Sequence, residues 1–172
     1  LFPSTLIIQI YERKPLIYIN NSKEEYIIDE DLLFLPINNN VKQFFKLPKV
    51  ELFNEDIESL KFSYNKKLYI KDYLQIIELV KNIKQNDFEF YNKLNIISEF
   101  KTNFEFIFNN HTKIFLSKTN YKQELINLFA FQKNIIEHKT IEDYEYINLQ
   151  IPHQIVVKEK NIKMKKDNKK IL

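Results

Sequence analysis

Phe104-Glu105-Phe106-Ile107-Phe108-Asn109-Asn110-His111-Thr112-Lys113-Ile114-Phe115-Leu116-Ser117-Lys118 is the stretch whose reading settles the architecture. Phe104, Phe106 and Phe108 recur at every second position, the period of a strand with one buried face. Asn109-Asn110 then offers a tight hairpin turn, because Asn tolerates positive φ better than most residues that carry a Cβ. Thr112–Lys118 returns as the second arm. The three phenyl rings could instead form a stacking platform for nucleic-acid bases. Alternating Phe on a strand far more often lines the inner face of a sheet, and that reading is preferred.

Working outward, residues 72–84 have helical period, with Tyr73, Ile76, Ile77, Val80 and Ile83 on one stripe and Asp72 with Gln75 as a capping pair. A second helix is expected over 121–138, its stripe formed by Leu125, Leu128, Phe129, Gln132, Ile135 and Ile136, with Asn120 and Gln123 at its start. Strands are expected at 5–11 (Leu6, Ile8 and Ile10 on one face), Leu16–Ile19, Glu25–Ile28 and Leu32–Leu35. Asn20-Asn21-Ser22 is a turn, Asn38-Asn39-Asn40 a loop, and Val50–Phe53 a candidate edge strand. Further strands fall at Asn95–Lys101, Tyr146–Ile151 and Gln154–Glu159. The order predicts an α+β fold: an antiparallel or mixed β-sheet packed with two helices on one face.

Composition narrows the function. The chain has 172 residues, 44% hydrophobic and 15% aromatic, which is ample for a packed core. A net charge of +3 is too small to mark a phosphate-binding surface by itself. With no cysteine, disulfides and thiolate metal sites are excluded. No apolar run approaches the roughly 18 residues of a membrane span, and no signal peptide opens the chain. It begins at Leu1, which reads as a fragment of a longer protein.

Glycine is absent altogether. The only arginine is Arg13 and the only alanine Ala130, while Lys, Asn, Ile, Phe and Tyr, whose codons are AT-rich, fill the sequence. Positions needing left-handed backbone are therefore expected to fall to Asn or Asp.

Catalytic chemistry is not visible. His111, His138 and His153 have no partner at metal-ligand spacing. Nucleophile elbows and phosphate-cradling loops require glycine. Asp29-Glu30-Asp31 lacks the spaced oxygens and distal Glu of a calcium loop, and reads as a solvated turn. No catalytic residue, metal, cofactor or small-molecule substrate is expected. From Lys158 onward lysine dominates, with Glu159 and Asp167 interspersed and no interleaved aromatics. Residues 161–172 read as a disordered lysine-rich tail, with nucleic-acid binding through it as the alternative function and weak attraction to an anionic membrane also open to it.

Several short motifs, taken in order, resemble the FtsQ/DivIB family of bacterial cell-division proteins. Leu1-Phe2-Pro3-Ser4-Thr5-Leu6 and Glu12-Arg13-Lys14-Pro15-Leu16 are similar to the junction between that family's POTRA subdomain and its β-domain. Tyr26-Ile27-Ile28-Asp29-Glu30-Asp31, Phe34-Leu35-Pro36 and Leu47-Pro48 follow in family order, then Leu128-Phe129-Ala130-Phe131, Tyr146-Ile147-Asn148-Leu149-Gln150 and Gln154-Ile155-Val156-Val157-Lys158. The chain departs from the family pattern at Leu32, where glycine is expected, at Asn110 and His153-Gln154, where Asn-Gly is usual, and at Ile151, where some members carry a partner-contacting tyrosine.

The resemblance implies that residues 1–14 end a POTRA subdomain, supplying its last strand, and that 15–160 form the β-domain. It implies an apolar segment of about 20 residues upstream of Leu1. The protein would then be a single-pass inner-membrane protein with this part outside the cytoplasm. It implies a non-enzymatic scaffold that recruits septal cell-wall synthesis proteins through FtsB- and FtsL-like partners. Binding would add a partner strand to the terminal sheet edge, at Ile151, His153, Gln154, Ile155, Val156, Val157 and Lys158. Core packing of a last strand is the competing role for these residues. Glu12, Arg13 and Pro15 would mark the subdomain junction, where an ion pair is expected to be structural.

Overall fold

The computed structural model describes residues 7–10, 12–20, 25–35, 37, 44–52 and 71–161. Leu6, Tyr11, the Asn21-Ser22 turn, the Asn38–Asn40 loop, Phe53 and the tail from residue 162 lie outside the described residues. The chain divides into two compact units, Leu1–Glu99 and Phe100–Leu172.

The first unit holds five described strands: β1 (Pro15–Asn20), β2 (Glu25–Asp29), β3 (Phe34–Leu35), β4 (Lys49–Leu52) and β5 (Leu94–Glu99). They lie in the order β3-β2-β1-β4-β5. The β1/β2 and β2/β3 pairs are antiparallel, as the short turns between them require. The β1/β4 and β4/β5 pairs are parallel. The edge strand expected at Val50–Phe53 is thus an interior strand, with β1 on one side and β5 on the other. Its link to β5 runs through α1 (Lys71–Asn86) and α2 (Phe88–Lys93), a helical crossover of the kind parallel pairing needs.

Helix α1 packs against β1. Ile76, Ile77, Val80 and Ile83 are buried as the periodicity predicts, and Leu79 joins them. Asp72 lies inside the first turn, since the helix begins at Lys71; it is not the cap. Helix α2 was not anticipated. Asp87 starts it: its Oδ1 accepts from the Phe90 amide at 2.8 Å, holding one of the orphan donors of a helix start. The helix places the Tyr91 hydroxyl so that it donates to the Leu16 carbonyl at 2.6 Å. Burial, with the Glu30 carboxylate and Tyr18 nearby, pushes the Tyr91 phenol well above its ordinary range.

Residues 7–10 form no strand, and Ile7, Ile8 and Ile10 are 80%, 72% and 89% exposed. A strand persists only when a neighbouring strand pairs its amides and carbonyls, and no described strand lies beside residues 7–10.

The second unit holds β6 (Asn103–Phe108), β7 (Lys113–Ser117), β8 (Tyr144–Asn148) and β9 (Val156–Glu159), in the order β6-β7-β8-β9. Phe104, Phe106 and Phe108 are no more than 1% exposed, which makes them core and rules out a stacking platform. Helix α3 (Tyr121–Ile135) packs on β7 and crosses over to β8, which pairs with β7 in parallel. Tyr121 meets Phe104 edge-on at 5.7 Å. Asn120 makes no side-chain cap bond. The helix stops three residues short of expectation: the His138 and Lys139 amides both donate to the Ile135 carbonyl, and Ile136 is left 67% exposed. The buried carboxylate of Glu124 instead reaches the end of β7, accepting from the Ser117 amide at 2.6 Å and from its hydroxyl.

Among the described residues positive φ falls on Leu32 (68°), His111 (68°) and His153 (61°), on no Asn or Asp. Two of these sites share one loop geometry. The Leu32 amide donates to the Asp29 carbonyl while the Asp29 amide donates to Leu33; likewise His111 donates to Phe108 while Phe108 donates to Thr112. Each is a type I turn followed by one left-handed residue, a three-residue hairpin loop. The two Asn residues expected to take positive φ occupy the turn itself, and the left-handed place passes to the next residue. His153 takes the third position of a turn closed by the Gln154 amide on the Ile151 carbonyl, with Pro152 ahead of it, as in a type II turn.

A left-handed residue with a Cβ costs roughly 1–2 kcal/mol. His111 is exposed, so its side chain has little packing to lose. His111→Gly is expected to raise stability by about 1 kcal/mol, and the β-branched His111→Val to lower it by about as much or more. Urea denaturation of the three proteins checks the order.

Candidate functional site

The terminal edge of the second unit is built by β8 and β9. They pair antiparallel, with Asn148 opposite Val156, Ile147 opposite Val157, Tyr146 opposite Lys158 and Tyr144 opposite Glu159. The register slips between Tyr144 and Tyr146, so Glu145 is an extra, bulged residue. The bulge lets Tyr144 and Ile147, three apart, both face the core, where they are 4% and 0% exposed. On its other side β9 has no strand neighbour among the described residues. Its outward amides and carbonyls are a template for another strand.

The residues expected to bind a partner are brought together on this edge, and none of them is core. Ile151 is 42% and Val157 37% exposed; His153, Gln154 and Lys158 are exposed, and Ile155 and Val156 half-buried. The strand is shorter than expected, because the turn closed between Ile151 and Gln154 delays pairing until Val156.

Charge flanks the edge. Lys158 Nζ lies 2.8 Å from the bulged Glu145 carboxylate, and Lys139 pairs with Glu159. Both pairs are solvent-exposed, so each stabilises little. Their chemical role is to decorate an open edge with charge, which discourages indiscriminate pairing.

What fixes β9 in place lies just beyond it. Lys160 Nζ donates to the Asn110 carbonyl (2.9 Å), the Thr112 hydroxyl (3.0 Å) and the Glu142 carbonyl (3.0 Å), using all three of its N–H groups. The Lys160 amide donates to the Asp143 carbonyl. Thr112, fully buried, passes its own hydroxyl hydrogen to the Tyr144 carbonyl at 2.7 Å. Asn110 donates to Glu142 at 2.9 Å. The β6–β7 loop, the 3-10 turn Ile141–Asp143 and the end of β9 are thereby tied through one ammonium group. Sequence reading missed this, because Lys160 sits inside a lysine-rich run that looks like solvated tail.

The junction residues form a separate cluster in the first unit. Arg13 Nη1 donates to Asp29 at 3.3 Å and to Asp31 at 3.1 Å. Asp29 is 1% exposed, and its other oxygen accepts from the Asp31 and Leu33 amides at 2.9 and 2.8 Å. Glu30 pairs with Lys84 at 2.8 Å, and Lys84 also donates to the Pro15 carbonyl at 3.4 Å. Asp29-Glu30-Asp31 is therefore no mere solvated turn: Asp29 is a buried pin for the β2–β3 loop. No group of ligands able to hold a metal ion occurs among the described residues, and no helix among them is long and apolar enough to cross a membrane.

These geometries fix two expectations. Asp29→Ala strips two backbone amides and a guanidinium of their acceptor and should cost about 3 kcal/mol, whereas Asp31→Ala loses an exposed contact worth under about 1 kcal/mol; thermal unfolding of the two variants separates them. The second concerns pH. Hydrogen bonding to Glu159 and Glu145 raises Lys139 and Lys158 above the ordinary lysine value of 10.5. A raised lysine stabilises fully below its unfolded value and loses that contribution as pH climbs through its folded one. NMR titration of the two Nζ groups should therefore give midpoints above 10.5, and Glu145→Gln should return Lys158 alone toward it.

A family model described as "FtsQ/DivIB, C-terminal related" matches residues 14–158, from the residue before β1 into β9. The motif residues Leu1–Leu6 and Glu12-Arg13 precede that match. Among solved structures, the major extracytoplasmic domain of the trans isomer of the cell-division protein DivIB from Geobacillus stearothermophilus is similar at 11% identity and a TM-score of 0.41, covering 76% of this chain and 99% of that one. No curated protein matches. On the family model, which takes in both units, the chain belongs to the FtsQ/DivIB C-terminal-related family of cell-division proteins.

Proposed function

We propose that the chain is the extracytoplasmic part of a single-pass inner-membrane protein of the divisome, a scaffold without catalytic activity that binds an FtsB- or FtsL-like partner by adding its strand to β9. The observation that carries this reading is the open β9 edge: no strand covers its outer side among the described residues, the apolar side chains Ile151 and Val157 are exposed beside it, and Lys160 holds it in register. Recognition by strand addition uses backbone groups for affinity and neighbouring side chains for specificity.

Residues 1–14 fit the end of a POTRA subdomain in this reading. Ile7, Ile8 and Ile10 are branched, exposed and unpaired by any described strand, as a strand belonging to an upstream sheet would be. Residues 15–160 then form the β-domain, and 161–172 a lysine-rich tail.

The test is titration of the protein with a peptide from the extracytoplasmic end of the host's FtsB-like protein at physiological salt. Val157→Lys places a charge on the exposed apolar ledge and should weaken binding at least tenfold with the unfolding midpoint little changed. Lys160→Met should weaken it too, with faster amide exchange along β9. No binding by the wild type, together with salt-sensitive binding to duplex DNA, would overturn the scaffold reading in favour of the lysine tail.

A further inference from the structure

Three exposed aromatic side chains of the first unit converge on one cleft. Phe44 is 80% exposed, Phe88 60% and Phe45 40%, and together they line a cleft of about 290 Å³. Phe88 stacks on Tyr91 at 6.1 Å with 21° between the rings, so its outer face is held toward solvent by a buried neighbour. Single exposed apolar residues are commonplace, but aromatic surface gathered at one concavity marks a contact site.

The charge of the lining is lopsided. Arg13, Lys14, Lys46 and Lys84 stand against one carboxylate, Glu12. Lys84 is committed to Glu30, and Arg13 uses only Nη1, on Asp29 and Asp31. Lys14 and Lys46 have no carboxylate partner among the described residues. The cleft therefore offers two ammonium groups and the unused nitrogens of a guanidinium beside an aromatic wall. The ordered geometry of the Arg13 fork, fixed from behind by Asp29, suits a carboxylate.

We infer that this cleft receives a short acidic segment of a partner protein, inserting one apolar anchor side chain between Phe44 and Phe88 and setting a neighbouring carboxylate against Lys14, Lys46 and Arg13. Its volume argues for a peptide. It lies just below the range of small-molecule ligand pockets, about 300–1,000 Å³, and has room for one or two side chains, not for a lipid's chains and headgroup together. The site lies wholly in the first unit and is independent of the β9 edge.

The probe is a fluorescein-labelled peptide, acetyl-Asp-Asp-Leu-Phe-Asp-amide, followed by polarisation against the whole chain. A control peptide carries Lys for each Asp, and vesicles of phosphatidylglycerol form a third arm. Saturable binding of the acidic peptide is expected, at least tenfold tighter than the Lys control. Lys46→Glu and Phe88→Ser should each weaken it tenfold or more, Glu12→Lys should tighten it, and Val157→Lys should leave it unchanged. Lys46, Glu12 and Phe88 are exposed, and an unchanged thermal midpoint confirms folding; should Phe88→Ser unfold, the two charge variants still decide. Equal binding of the two peptides, indifference to Lys46→Glu, or binding only to vesicles would overturn the proposal.

Discussion

A chain without glycine must turn its corners with residues that resist the turn. Leu32, His111 and His153 each hold a positive φ that a Cβ opposes. What keeps them there is local polar bonding. Asp29 accepts two amides across the first loop, and Asn110 accepts the Thr112 amide while donating to Glu142 across the second. The acceptor side chains over-determine the backbone, so the left-handed residue follows from its neighbours and does not depend on its own preference. The β2–β3 and β6–β7 hairpins rest on this device, and so do the two clusters with functional interest: the Arg13–Asp29 corner grows from the first loop, and the Lys160 anchor grows from the second.

The parts of the fold legible in the sequence were those written by periodicity. The Phe104-Phe106-Phe108 alternation gave a strand and its buried face, and the Ile76, Ile77, Val80, Ile83 stripe gave a helix and its buried side. Parallel pairing was not legible, because it depends on which distant strand a crossover returns to. Val50 looked like an edge because its surroundings are irregular in sequence, yet both of its neighbours in the sheet are far along the chain. The left-handed position of the β6–β7 hairpin was misassigned by one residue: Asn109-Asn110 advertise a turn correctly, but the three-residue loop shifts the positive φ onto His111.

The terminal edge was legible through family motifs more than through physics. Its residues carry no charge or spacing signal of their own, and pattern alone could not separate a core strand from an edge strand. Burial separates them: Ile147 is core, and Val157 directly opposite is 37% exposed. The Arg13 corner was half legible. The lone arginine drew notice, but its partners are 16 and 18 residues away, beyond any local pattern. Lys160 was hidden by its company, since a lysine held by three neutral acceptors looks the same in sequence as one trailing in water.

The open side of β9 has a consequence for how this chain tolerates change. Its outward surface is made of amides and carbonyls, which every residue except proline presents alike. A composition drifting toward Lys, Asn and Ile rewrites side chains across the molecule. It cannot rewrite a row of peptide groups. A surface of that kind can persist while the sequence around it becomes unrecognisable, provided the few residues that hold the strand in place, Lys160 above all, are retained.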